Sequence, residues 1–355
     1  MKPQTDLKIS NQKEIMRLLL TKKANTRTDL ASLLPFTKMT VTNLINEWIK
    51  TGYIVEKKDK ADSFRGRPKV ILEIGEKAPK TLGLYIEKNK VTLTLARLNG
   101  NKEDAWTEKY DASTLIAACD KLIHYAFAKY VNNTFLGIGI LNESEIEIED
   151  LVTYLKENIN LEIYPMGKEK CTLFHESLFG LIQTSSDGLI LEITDTIKTT
   201  LMKKGSIEEY TPNVAHLSID YNGLTCSCGR KGCLSAYIAK PIIEKKLRDI
   251  SKLRLDFAGF CQMQNKKNDN RIDWALKDMV EKLGYGITNL YVLTGIQKVI
   301  LSGEAIYLPD RYIEKLEKEL RQNLNCEAMR IMKTSVSKSD EPLLANDAVI
   351  YSFLN

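Results

Sequence analysis

Apolar positions recur with a helical period through the first fifty residues and then give way to alternation. Between Ile9 and Lys22, the residues Ile15, Leu18 and Leu19 fall on one stripe, and this spacing of three and four predicts an amphipathic helix. A second helix is expected from Thr28, as its N-cap, through Leu30, Ala31, Leu33 and Leu34, with Pro35 ending the pattern. Thr37 caps a third, running to about Lys50, in which Val41, Leu44, Ile45 and Trp48 repeat at i, i+3, i+4 and i+7. After Gly52 the segment Tyr53–Glu56 and the alternating Val70-Ile71-Leu72-Glu73-Ile74 read as two strands.

Helix, turn, helix and then hairpin in one block is the pattern of a winged helix-turn-helix, here spanning residues 1–78. Charge supports it. Residues 1–80 hold 17 Lys and Arg against 9 Asp and Glu, whereas the remainder holds 34 against 37, so the excess of positive charge sits on the proposed DNA-facing module. The polar face of the third helix carries Thr37, Lys38, Thr40, Thr42, Asn43 and Asn46, side chains that reach phosphates and the edges of adenine and guanine. Between the strands, Arg65-Gly66-Arg67-Pro68 is a basic loop suited to the backbone or to a narrow minor groove.

Beyond Pro79 strands alternate with helices: Thr81–Tyr85, Val91–Leu95, an amphipathic stretch over Leu115–Tyr130, and Phe135–Leu141. A second half repeats the theme with Gly188–Ile193, a helix from about Asp273 to Thr294, and the strand Lys298–Leu301 leading into Ser302-Gly303-Glu304. This order makes the body α/β.

Three of the seven cysteines crowd into Cys226-x-Cys228-x4-Cys233, preceded by His216. Three thiolates and an imidazole are the complement of one tetrahedral zinc ion, and a closed set of four leaves no position for substrate, which predicts one structural zinc per chain held by His216, Cys226, Cys228 and Cys233. An odd cysteine count concentrated in this way argues for a reducing compartment over a disulfide framework.

The string Cys226-Ser227-Cys228-Gly229-Arg230-Lys231-Gly232-Cys233 with its upstream histidine resembles the zinc signature of the ROK family, which joins bacterial repressors, uncharacterised reading frames and sugar kinases. Gly66-Arg67-Pro68 before the second wing strand, and Gly286-Ile287-x-Asn289-Leu290 before the strand into Ser302-Gly303, are similar to other parts of the family's pattern, so the resemblance spans nearly the whole chain. It implies a two-lobed, actin-like (ribonuclease H-like) ATPase fold after the winged helix: a body over 79–355, with lobe one at about 79–185 and lobe two, carrying the zinc loop, at about 186–355.

The resemblance also exposes what is missing. Kinases of the family place ATP on two glycine-rich turns; here the matching segments are Tyr85-Ile86-Glu87-Lys88-Asn89 and Glu192-Ile193-Thr194-Asp195-Thr196-Ile197-Lys198-Thr199-Thr200, neither with a glycine. The catalytic Asp falls on Glu176, one methylene longer. Phosphoryl transfer consists almost wholly of positioning and charge neutralisation, so these losses predict a body without enzymatic activity. Where the family's sugar site has Glu-x-Gly-His and a later Glu, this chain has Asn213-Val214-Ala215-His216 and Ser235; Glu176, Asn213, His216 and Ser235 are therefore the candidates for a weakened effector pocket.

The expectation from sequence is a transcriptional regulator, a repressor of carbohydrate-related genes, bound as a homodimer or tetramer to a palindromic duplex operator, with a sugar as candidate effector. An ATP-dependent sugar kinase is the alternative. Mean hydropathy of -0.24 and the lack of any apolar run near ~18 residues exclude a membrane-spanning protein. With no secretory apolar stretch behind the charged N-terminus, the expected location is the cytoplasm, at the nucleoid.

Overall fold

The computed structural model describes residues 3–58, 69–183, 187–209 and 213–355, with side chains from Lys8 onward. The chain falls into two compact units, residues 1–184 together with 336–355, and residues 185–335.

The first unit opens with helices α1 (Pro3–Leu20), α2 (Arg27–Leu33) and α3 (Lys38–Thr51), then strands β1 (Ile54–Lys58) and β2 (Val70–Ile74), which pair antiparallel. Helix α2 starts earlier than its apolar pattern suggests, because the Thr26 hydroxyl, not that of Thr28, accepts the Asp29 amide at 3.1 Å. Helix α3 has the expected Thr37 cap and ends at Gly52, whose φ of 75° is the left-handed conformation glycine adopts without strain. Ile15, Leu30, Val41, Ile45, Ile54 and Leu72 close a separate small core beneath these elements.

Strands β3 (Lys80–Glu87), β4 (Lys90–Arg97) and β5 (Lys102–Lys109) follow as an antiparallel meander. Then come α4 (Leu115–Lys129), β6 (Phe135–Asn142), α5 (Glu149–Asn158), β7 (Ile163–Pro165) and α6 (Lys168–Leu178). The sheet order is β5-β4-β3-β6-β7, with β6 parallel to both β3 and β7. Strand β5 has no apolar run to announce it. Its Lys-Glu-Asp-Ala-Trp-Thr-Glu-Lys sequence is an edge strand, solvated on one side and held by pairing to β4, with charges that discourage further strand addition.

The second unit contains β8 (Gly188–Ile193), β9 (Ile197–Lys203), β10 (Ser206–Ile207), α7 (Ser235–Ile238), α8 (Lys240–Ser251), α9 (Phe257–Lys267), α10 (Asn270–Thr294), β11 (Lys298–Gly303), α11 (Asp310–Asn323) and β12 (Arg330–Lys333). Its sheet order is β10-β9-β8-β11-β12, repeating the meander-plus-parallel plan of the first. Helix α10 begins at the Asp269 cap, ahead of the expected Asp273, because the Asp269 carboxylate accepts the Arg271 amide at 2.9 Å.

The chain then returns to the first unit as α12 (Leu344–Leu354). This corrects the expectation of a second lobe running through to residue 355. Helix α12 lies on β3 and β6 where Gly83 and Gly139 leave room for its backbone: a Cβ at Gly139 would stand 1.7 Å from the Ala345 carbonyl oxygen. Asn346, fully buried, donates to the Thr81 carbonyl at 2.9 Å and the Thr94 carbonyl at 3.2 Å and accepts from the Thr94 hydroxyl, so a polar side chain in the core is satisfied by the strands it crosses.

Candidate functional sites

On α3 the buried residues Val41, Leu44 and Ile45 face the small core, which turns the opposite face to solvent. Lys38, Asn43 and Asn46 are exposed there, Thr40 and Thr42 are half-buried, and the Thr37 hydroxyl is committed to the cap, accepting the Thr40 amide at 3.1 Å. The structure adds a residue that periodicity could not single out. Arg27, at the start of α2, donates to Asn46 Oδ1 at 2.8 Å and to the Thr42 carbonyl, and pairs with Glu56 of β1 at 3.0 Å. The Arg27 bond takes one of the two lone pairs of the Asn46 oxygen and fixes that side chain's direction, so Asn43 is the better placed of the two to turn its acceptor and donor pair to an adenine. Arg65 and Arg67 lie outside the described residues.

In the second unit, the ligand atoms of His216, Cys226, Cys228 and Cys233 lie within 4.8 Å of one another. His216 Nδ1 is 3.5 Å from Cys226 Sγ, and Cys228 Sγ is 3.7 Å from Cys233 Sγ. A zinc–sulfur bond of about 2.3 Å gives a tetrahedron with edges of about 3.7 to 3.8 Å, so these separations suit a single bound ion. The local chain geometry explains how. Cys226 receives the Gly229 amide at 2.9 Å and donates its own to the Arg230 carbonyl at 2.8 Å, closing a tight knuckle that needs Gly229 at φ 83°. At Gly232, φ 70°, a Cβ would lie 1.6 Å from the Asp220 carbonyl oxygen.

The thiols are tuned against each other. Burial raises Cys226, but the Cys228 amide and the Ser235 hydroxyl, 3.4 Å from the sulfur, outweigh it and bring the thiol down to about 6. Burial and the neighbouring sulfurs of Cys228 and Cys226 push Cys233 up to about 11. Three sulfurs and an imidazole gathered at this spacing are a set that could hold one metal ion.

Of the four effector candidates, His216 and Ser235 meet at this cluster. Asn213 is exposed at the start of the short turn Val214–His216. Glu176 belongs to the first unit, where it is 0% exposed and its Oε2 accepts the Leu181 amide at 2.7 Å. A Cβ at Gly180 would lie 1.9 Å from that oxygen, so Gly180 makes the space the longer side chain occupies. The adjacent His175, unassigned by its sequence context, meets Asp347 of α12 at 2.9 Å. Burial lowers the imidazole, but the Asp347 charge and hydrogen bond prevail and hold it above its ordinary value.

The two turns that would carry phosphates are plain hairpins. Lys88-Asn89 joins β3 to β4, closed by the Glu87–Lys90 ion pair at 2.6 Å. Thr194-Asp195-Thr196 joins β8 to β9, closed by the Thr194 amide on the Thr196 carbonyl at 2.8 Å. No residue of either turn has the left-handed backbone that builds an anion-binding nest. At the end of β3 the Tyr85 hydroxyl donates to Glu341 at 2.9 Å and Lys168 pairs with the same carboxylate at 2.8 Å, filling this end of the sheet with internally matched charge. Burial first, and then Glu341, raise the Tyr85 phenol well above its ordinary value.

A winged helix followed by two sheets of related meander-plus-parallel topology, with a knuckle of one histidine and three cysteines in the second unit, defines a regulator-type architecture on a sugar-kinase-like body. The chain belongs to the ROK family, whose profile matches residues 122–344. It is 24% identical over 374 residues to the xylose repressor of Caldicellulosiruptor bescii, covering 94% of this chain and 93% of that protein. A crystallised ROK-family transcriptional regulator, a homologue of the Escherichia coli Mlc protein, superposes with a TM-score of 0.79 at 17% identity and covers 98% of this chain and 96% of its own. A ROK hexokinase from Thermus thermophilus gives 0.63 at 17% identity and covers 76% of this chain and 97% of its own. The regulator thus shares the fold along nearly the whole chain, and the kinase along part of it.

Proposed function

We propose that this protein is a DNA-binding transcriptional repressor of carbohydrate-related genes, working in the cytoplasm as a homodimer or tetramer on a palindromic operator. The observation that carries the reading is the exposed polar face of α3, capped at Thr37 and braced by Arg27, on a winged helix attached to a ROK body. Relatives named as xylose repressors, alike over nearly their full length, support the repressor role and the class of genes. Twofold symmetry presents two recognition helices to two half-sites. Arg65 and Arg67 reach along the DNA backbone or into a narrow minor groove, and one structural zinc per chain holds the knuckle. Any sugar effector is bound weakly, by what remains of Asn213, His216 and Ser235 within the second unit.

Selection of duplexes from a random pool by the full chain tests this directly. A palindromic sequence should be enriched, Asn43→Ala should relax preference at one adenine per half-site by roughly tenfold or more, and Lys38→Ala should weaken all duplexes alike and reduce the salt slope by about one unit per half-site. A chain that enriches no sequence refutes the assignment.

The same reading makes the body a non-enzyme. Sugar-dependent release of ADP from ATP should stay at background for glucose, N-acetylglucosamine and N-acetylmannosamine. Glu176→Asp should restore nothing, since it shortens a side chain already committed to Leu181 and leaves both hairpins without a phosphate nest. Turnover that Glu176→Gln abolishes would overturn this.

A further inference from the structure

The polar residues of α3 leave one exposed side chain unexplained. Met39 is 73% exposed in the first turn of the helix, directly after Lys38. Single exposed apolar residues are ordinary on protein surfaces, so exposure alone means little. Position changes that. Met39, Asn43 and Asn46 stand at i, i+4 and i+7, one stripe on the face opposite Val41, Leu44 and Ile45. The apolar residue therefore shares its stripe with the base-reading candidate, on the helical turn that enters a major groove first.

Resting on the DNA-binding reading above, we propose that Met39 is a specificity-determining residue that packs against the C5-methyl group of a thymine in each operator half-site. In the major groove the thymine methyl is the apolar feature of the base-pair edges, and a flexible, polarisable thioether adapts to it better than a branched side chain. Four residues of helix rise by about 6 Å, close to two base-pair steps, so the thymine read by Met39 lies about two steps from the adenine read by Asn43. Arg27 contributes by holding Asn46 and the Thr42 carbonyl, fixing the stripe that both readers share.

The test uses the full chain and its selected operator, with each thymine replaced in turn by uracil, which removes the methyl and leaves the pairing edge unchanged. Wild-type affinity should fall roughly fourfold for each half-site at one thymine position, the worth of one buried methyl group. Met39→Ala should bind the unmodified operator more weakly and be indifferent to uracil at that position, while Met39→Leu should keep most of the discrimination. A uracil profile unchanged by Met39→Ala overturns the role of Met39 and leaves the DNA-binding reading standing. Failure of the wild-type chain to select any duplex defeats that reading, and this inference with it.

Discussion

Cys233→Ser protein is expected to lose its zinc, falling from one ion per chain to less than about a tenth, and to unfold its second unit at a markedly lower temperature. Cys233 is the fully buried ligand, and its backbone also bridges to Ser218, so the loop from His216 to Cys233 is anchored through it. Eight of the eighteen residues of that loop are glycines or short polar residues, and its buried side chains are Cys226 and Cys233 themselves. A serine hydroxyl is a poor substitute for a thiolate, and its loss leaves two thiolates repelling each other with three ligands at most. If free zinc exceeds its dissociation constant a thousandfold, the bound ion contributes about 4 kcal/mol to folding, and that contribution disappears. Elemental analysis and a thermal melt read the two effects. Cys326→Ser, a buried thiol outside the cluster, is the control and should retain full zinc. Full zinc content in Cys233→Ser, or none in the wild type, would remove the ligand assignment.

Gly139→Ala should be the most damaging single methyl group added to the first unit. The new Cβ would be 1.7 Å from the Ala345 carbonyl oxygen and 3.2 Å from the Ala348 Cβ, and the first of these is backbone of α12, which cannot rotate away. The helix must lift from β6, taking Asn346 from Thr81 and Thr94 and Asp347 from His175. Overpacking of this kind costs about 3 kcal/mol or more, measured as a lower denaturant midpoint at unchanged slope. Gly295→Ala makes a useful comparison: its Cβ meets nothing within 4 Å, and the φ of 74° alone costs about 1 kcal/mol. Equal midpoints for the two variants would mean that α12 does not sit on the sheet as described.

Much of this architecture can be read before any coordinates. The winged helix is legible because its elements are short, locally capped and amphipathic: Thr37 and Gly52 bound α3 through interactions within a few residues. The His and Cys cluster that could hold a metal is legible for a similar reason, since three of its four residues lie within eight positions and all four are metal-ligating types. What sequence does not disclose depends on distant partners. Strand β5 is polar and becomes a strand only by pairing with β4. Arg27 looks like any basic residue until α2 and α3 cross and bring it to Asn46. The pairing of His175 with Asp347 joins positions 172 residues apart, and no local pattern encodes it. Glu176 draws attention in the sequence only through a resemblance, and its burial against Leu181 is a matter of packing.

The return of α12 to the first sheet sets an order on the birth of the protein. As the chain emerges from N-terminus to C-terminus, the winged helix has its own core available early, and residues 185–335 come out before the helix that covers β3 and β6. Until residues 344–354 arrive, Gly83 and Gly139 mark an apolar surface with nothing on it, and the Thr81 and Thr94 carbonyls wait for Asn346. The second unit can therefore be complete while the first is still open. Chaperone dependence and aggregation during synthesis should concentrate in that interval, and a chain interrupted shortly before residue 344 should carry a folded winged helix and a folded second unit together with a first sheet that cannot close.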